Sequence, residues 1–191
     1  MGALITQVAT SYRNRLQPIG YRSESSNLFS PPTDGSAPNF RVTFTPASGS
    51  ATELTNVHAL RVELINRGSQ DRAKMALGIT IPEGQGIVHA EKITGDRHHK
   101  LKIETALRPE APSNEIDLVL EPFNRGDAYT LTLYITLPPG EHEAGPIDPS
   151  SAEAVRFVEL PTPAELAEEA IGIGGKLLLF TTPLSLRIRG R

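Results

Sequence analysis

The sequence predicts an all-β chain: one antiparallel β-sandwich with a short arm at each end. A repeated phrase, alternating apolar runs and scattered turn residues carry this reading. The phrase first runs Asn66-Arg67-Gly68, a β-type run, then Ile79-Thr80-Ile81-Pro82-Glu83-Gly84. It recurs as Asn124-Arg125-Gly126, a β-type run, then Ile135-Thr136-Leu137-Pro138-Pro139-Gly140. Alternating apolar segments precede the copies, Ala59 to Ile65 and Ile116 to Leu120. Strand, glycine turn, strand and proline-glycine stop is the pattern of a short-stranded sheet protein. The 16 prolines and 16 glycines are spread along the chain as turn punctuation, not gathered in one tract.

Residues 1–18 read as an N-terminal arm. Leu4, Ile5, Val8 and Tyr12 recur at spacings of three and four, which suits a short amphipathic helix. A frayed terminus is the plain alternative, since isolated helices this short are marginal in water. Residues 19–160 read as the sandwich. Pro18 to Arg22 starts the first strand, and Ser23 to Ala37 is a loop. Phe40, Val42 and Phe44 alternate with polar residues, giving a strand with one buried face, and Ala47 to Asn56 is a polar loop.

The dense β region follows. Leu60, Val62 and Leu64 share a face, as do Met75, Leu77, Ile79 and Ile81. Ile87 to Ile93 and Leu101 to Ala106 bracket Thr94-Gly95-Asp96-Arg97, which reads as a hairpin turn. Ile116, Leu118 and Leu120 share a face. Tyr129, Leu131, Leu133 and Ile135 oppose Thr130, Thr132, Tyr134 and Thr136, and Ala154 to Leu160 is a further strand.

Residues 161–191 change character. Thr162-Pro163-Ala164-Glu165 is a capping box, with a helix expected through Glu169. Leu184, Leu186 and Ile188 then alternate with Ser185, Arg187 and Arg189, as in a last strand with a charged outer face. A membrane anchor fits poorly, because Pro183 and three glycines interrupt the apolar stretch. A packed strand, an exchanged arm and a peripheral membrane contact are the readings left for it.

Composition excludes more than it assigns. The net charge of −3 and pI near 6.0 give no global field for nucleic acid or an anionic membrane. Without cysteine there is no disulfide framework, thiolate metal site or cysteine nucleophile. Gly2 to Tyr12 lacks the charged start of a secretory signal, so a cytoplasmic location is the expectation.

Candidate chemistry is sparse. Arg97, His98, His99, Lys100 and Lys102 form the best local anion- or partner-binding patch, against a plain solvated turn. His98 and His99, adjacent on a strand, point to opposite faces and would not hold one ion together. His89, on the supposed partner strand, would approach one of them with Glu91 or Glu104 as a third ligand, but three nearby cations repel a metal. Gly172 to Lys176 fails as a phosphate loop, since Ala170 stands at the first glycine position and Leu177 follows the lysine. No Gly-x-Ser-x-Gly elbow occurs, and no cofactor is implied.

The turns resemble those of bacterial immunoglobulin-like domains. Val57 to Arg67 ends in an Asn-x-Gly turn, and Phe123-Asn124-Arg125-Gly126-Asp127 leads into alternating threonine and leucine. The run Asn66 to Gly84 is similar to repeats of bacterial surface proteins, and Ile19-Gly20-Tyr21-Arg22 to the first strand of membrane-tethered domains of that kind. The resemblance spans roughly residues 19–137, implies an immunoglobulin-like sandwich and implies no catalytic residue. The expected function is therefore non-catalytic: a structural or interaction module that self-associates, or docks into an assembly, through its arms. Leu177, Leu178, Leu179, Phe180, Leu184, Leu186 and Ile188 are its expected assembly contacts. The alternative is a carbohydrate- or nucleotide-sensing sandwich using loops 23–37, 47–56 and 138–152. A metal-dependent enzyme comes third.

Overall fold

The computed structural model describes residues 16–28, 42–44, 51–54, 56–93, 97–163 and 165–166. The chain divides into two units, Met1–Leu160 and Pro161–Arg191. The strands of the first are β1 (Gln17–Asn27), β2 (Val42–Phe44), β3 (Thr52–Leu54), β4 (Val57–Asn66), β5 (Met75–Thr80) and β6 (Gly86–Ile93). They continue as β7 (Lys100–Ile103), β8 (Glu115–Glu121), β9 (Ala128–Thr136), β10 (Asp148–Ser150) and β11 (Val155–Glu159). One sheet has the order β11-β1-β4-β9-β6, a second β10-β5-β8-β7, and β2 pairs with β3.

Period-two patterning builds the core. Leu60, Val62 and Leu64 of β4 and Tyr129, Leu131, Leu133 and Ile135 of β9 are buried from one sheet. Met75, Leu77 and Ile79 of β5 and Ile116, Leu118 and Leu120 of β8 are buried from the other, in the same cluster. The two sheets thus share one apolar core. A small second cluster, Leu54, Val57 and Val88 with Tyr134 against it, joins β3 to β4, β6 and β9.

The repeated phrase explains the arrangement. β4 and β5 belong to the first copy, β8 and β9 to the second. Each Asn-Arg-Gly turn carries the chain from one sheet to the other. β4 pairs antiparallel with β9, and β5 with β8, so each copy's first strand meets the other's second. The ends match as well. Gln85 N donates to Pro82 O at 3.2 Å and Glu141 N to Pro138 O at 3.1 Å, closing two equivalent turns. Gly84 and Gly140 sit at φ 87° and 91°, where a side chain would be strained. Ile81 N donates to Asn114 O and Leu137 N to Asn56 O, again as equivalents. Exchanging the two copies therefore leaves the pattern of strand pairing unchanged.

Several expectations are corrected. The 87–93 and 101–106 segments do not form a hairpin: β6 pairs with β9 and β7 with β8, in different sheets. The chain passes from one sheet to the other there instead of folding back. The loop expected at 47–56 contains β3, and the one at 138–152 contains β10, which pairs with β5. β11 runs parallel to β1, with Gln17 opposite Val155. Three-residue strands and a parallel closing strand leave little trace in a local pattern.

In the second unit the capping box is formed. Thr162 N donates to Glu165 Oε2 at 2.7 Å, and Glu165 N to Thr162 Oγ1 at 3.2 Å. These bonds hold the Glu165 carboxyl below the usual range. The rest of that helix, the N-terminal helix at Leu4 to Tyr12, Phe40 and the assembly residues Leu177, Leu178, Leu179, Phe180, Leu184, Leu186 and Ile188 lie outside the described residues. Among the described residues no helix is long and apolar enough to cross a membrane.

Candidate functional site

The basic patch at 97–102 is partly spent on structure. His99 Nε2 lies 3.1 Å from Asp127 Oδ2, and its ring meets Tyr129 edge-on at 5.6 Å. Lys102 Nζ lies 3.1 Å from Glu121 Oε2. Arg97 Nε points to His98 Nε2 at 3.2 Å. The strands carrying His89 and Lys100 lie in different sheets, so the expected approach of His89 to His98 or His99 across a hairpin, with Glu91 or Glu104, loses its premise. Among the described residues no three His, Cys, Asp or Glu side chains are grouped to hold a metal.

The two Asn-Arg-Gly turns, by contrast, are brought together. Gly126 N donates to Asn66 O at 2.9 Å, and Asn66 N to Asp127 O at 3.0 Å. The buried Asn66 side chain ties both turns down. Its Nδ2 donates to Phe123 O at 2.8 Å and Gln70 O at 3.0 Å, while Oδ1 accepts Gly68 N at 3.0 Å. The second turn closes through Asp127 N to Asn124 O at 3.0 Å, with Gly126 at φ 84°. Asp127 Oδ2 accepts Asn124 N at 2.7 Å, and Asp71 Oδ1 accepts Arg125 N at 2.8 Å.

This junction walls a cavity of about 480 Å³ lined by Leu16, Gln17, Pro18, Arg67, Gly68, Ser69, Arg125 and Arg156. The register explains the convergence. β1 begins where β4 ends, and Pro18 stands opposite Arg156. The buried Gln17 side chain pins the wall, its Oε1 accepting Ser69 N at 2.8 Å and Ser69 Oγ at 3.2 Å. Gly20 makes room for the arginine stem: a Cβ there would stand 3.1 Å from Arg67 Cδ and 2.6 Å from Leu160 Cδ1. Among the described residues the lining holds three arginines and no carboxylate. Reading by local charge runs missed this site, because its arginines lie far apart in sequence. The repeated phrase was the available signal for two of them. The cavity lies at the opposite end of the five-stranded sheet from the point where the 138–152 segment leaves β9, beside the start of β4.

At that other end a polar clamp surrounds His58. Asn56, at φ 54°, donates through Nδ2 to Pro138 O and Glu141 O, each at 3.0 Å. Its Oδ1 lies 3.1 Å from His58 Nε2, so that nitrogen carries the proton and donates. His58 is 1% exposed, and its Nδ1 is buried with no hydrogen-bond partner. Protonating Nδ1 would bury an unmatched N–H and a charge. Burial therefore pushes the imidazole below its ordinary value of 6.5, and the nearby His142 lowers it further. The unfolded chain then binds the proton more readily than the folded one. This contribution to stability is full above the unfolded value of about 6.5 and is lost as pH falls below it. Urea midpoints between pH 8 and pH 5 should decline on the acid side, and His58→Gln, which keeps an amide donor for Asn56, should flatten that decline. An unchanged acid slope in the variant would show that other groups set it.

No family model matches the chain, and no curated protein matches it. The site is thus defined by its own chemistry. Its described parts hold fixed donors and positive charge, with no nucleophile–base pair among the cavity-lining residues.

Proposed function

We propose that this chain is a non-catalytic interaction module, an immunoglobulin-like β-sandwich that associates with a second copy of itself through its terminal arms. The corner between β8 and β9 supports the immunoglobulin-like part. Tyr129 starts the strand after the crossing, and its hydroxyl donates to Pro122 O at 2.5 Å, as in the tyrosine corner of such domains. The turn chemistry of Phe123 to Asp127 resembles the bacterial members of that class.

The observation that carries the assembly reading is the uneven guarding of the sheet edges. β10 is three residues long and contains Pro149; β7 carries Lys100 and Lys102. β6 has a register shift between Ile87 and His89 and ends in exposed Glu91 and Lys92. These are the devices that discourage strand addition. β11, an edge strand among the described residues with half-buried Val155, Phe157 and Val158, pairs without a register shift, contains no proline, and carries one charge of each sign, Arg156 and Glu159. It is the edge best suited to accept a strand, and Leu184 to Arg189 has strand-type alternation. The strand it accepts is the arm of a second copy.

Light scattering tests this on the full chain and on one ending at Glu169. The full chain should give a defined oligomer and the shortened one a monomer. A monomer in both cases sinks the assembly reading.

A further inference from the structure

The cavity between the paired turns is a second kind of surface. We propose that Arg67, Arg125 and Arg156 form a binding site for a compact multivalent oxyanion, either a phosphate ester or a small polycarboxylate. This site does not rest on self-association, although through Arg156 it shares β11 with the edge proposed to accept an arm.

Four observations carry it. Three arginines line one cavity that no carboxylate lines among the described residues, in a chain whose net charge is −3. Like charges gathered this way repel one another until an anion is placed among them. Secondly, the arginines come from three separate parts of the chain, set side by side by the β1·β4 and β1·β11 registers and by the turn-to-turn bonds of Asn66. Thirdly, the walls are held from within. Gln17 is 8% exposed and accepts two bonds from Ser69, and the Arg67 stem lies over Gly20. Lastly, the volume of about 480 Å³ exceeds what a single inorganic phosphate fills and suits a small molecule.

The lining also limits the ligand. Guanidinium forks match phosphate and carboxylate oxygens in pairs, which favours more than one oxyanion group. No aromatic ring lines the cavity, so a base has nothing to stack on. Leu16 at the rim is 54% exposed and offers a small apolar contact. The basic patch at 97–102 differs on each count, since His99 and Lys102 there face Asp127 and Glu121.

Calorimetry and melting curves on the full chain test this, with sodium pyrophosphate, inorganic phosphate and citrate as probes against sodium chloride at matched ionic strength. Saturable binding of one pyrophosphate or citrate per chain is expected, tighter than inorganic phosphate, with a raised melting temperature. Preference for pyrophosphate would indicate phosphate esters, and preference for citrate polycarboxylates. Arg67→Gln, Arg125→Gln and Arg156→Gln should each weaken binding about tenfold or more, and the corresponding lysine variants less, since they keep the charge and lose the fork. Arg97→Gln should leave binding unchanged. All these positions are exposed, and each variant's melting curve without ligand reports its folding. The site is overturned if neither probe saturates, if binding survives in the triple glutamine variant, or if Arg97→Gln weakens it equally.

Discussion

Phe123→Ala should cost about 3–5 kcal/mol, the usual range for emptying a buried aromatic position. Phe123 is fully buried, and its ring meets Tyr129 edge-on at 5.9 Å. Its backbone is held as firmly as its ring. Phe123 N donates to Arg72 O at 2.7 Å, and Phe123 O accepts Arg72 N at 3.2 Å. The residue thus stands at the corner where the chain leaves β8 for β9, between the two sheets. A domain of ordinary stability has about 5–15 kcal/mol in all, so the loss would be a large share. Urea denaturation reads it as a fall in midpoint at constant slope. Phe123→Leu keeps much of the volume and should cost less than half as much. A cost below about 1 kcal/mol for the alanine variant would mean that the corner repacks freely, against the close packing of protein interiors.

Strands with one buried face were legible in the sequence. Leu60, Val62 and Leu64, or Tyr129 to Ile135, alternate because water lies on one side and the opposite sheet on the other. The capping box at Thr162 was legible for a similar reason, since all its groups lie within one helical turn. Pairing was not legible. Thr94 to Arg97 has the residues of a hairpin turn, yet β6 and β7 go to different sheets. Turn chemistry fixes a local bend, while the partner is chosen by burial against strands far along the chain. β3 and β10 escaped because three residues are too few for a period to show.

The cavity shows the same division between local and long-range information. Arg67 and Arg125 stand at the same place in the repeated phrase, so their kinship was visible. Their meeting was not, because it depends on β4 pairing with β9. Arg156 arrives from β11, a parallel neighbour that no local pattern announces. The patch at 97–102 stood out only because its charges are consecutive. In space His99 turns toward Asp127 and Tyr129, and Lys102 toward Glu121, so adjacency in sequence overstated its availability.

Asn66 is the residue on which both turns depend, and Asn66→Ala should cost about 1–3 kcal/mol, set mainly by the buried Gly68 N that it leaves unmatched. Asn66 is 2% exposed and Gly68 is buried, so Gly68 N has little access to water, whereas Gln70 is exposed and its carbonyl can turn to solvent. Gly68 N would lose its acceptor and Gln70 O its side-chain donor, while Phe123 O would keep Arg72 N. An unmatched buried group costs about 1–3 kcal/mol, and the partner kept by Phe123 O limits the sum. Asn66→Asp separates hydrogen bonding from shape. It retains the acceptor for Gly68 N but turns a second oxygen toward the carbonyls of Phe123 and Gln70. A carboxylate there is disfavoured, so its folded pKa rises above the unfolded value of about 3.9. The folded variant then binds the proton more tightly, and stability lost at neutral pH returns as pH falls through that raised value. Relative to the parent chain, its urea midpoint should rise from pH 7 to pH 5, the reverse of the His58 effect. If aspartate matches asparagine across that range, the Nδ2 bonds do not hold the turns together. If both variants lose stability but bind pyrophosphate as the parent does, the arginines keep their places without the clamp. Weakened binding in both, with every arginine intact, would make Asn66 the positioning residue of the cavity.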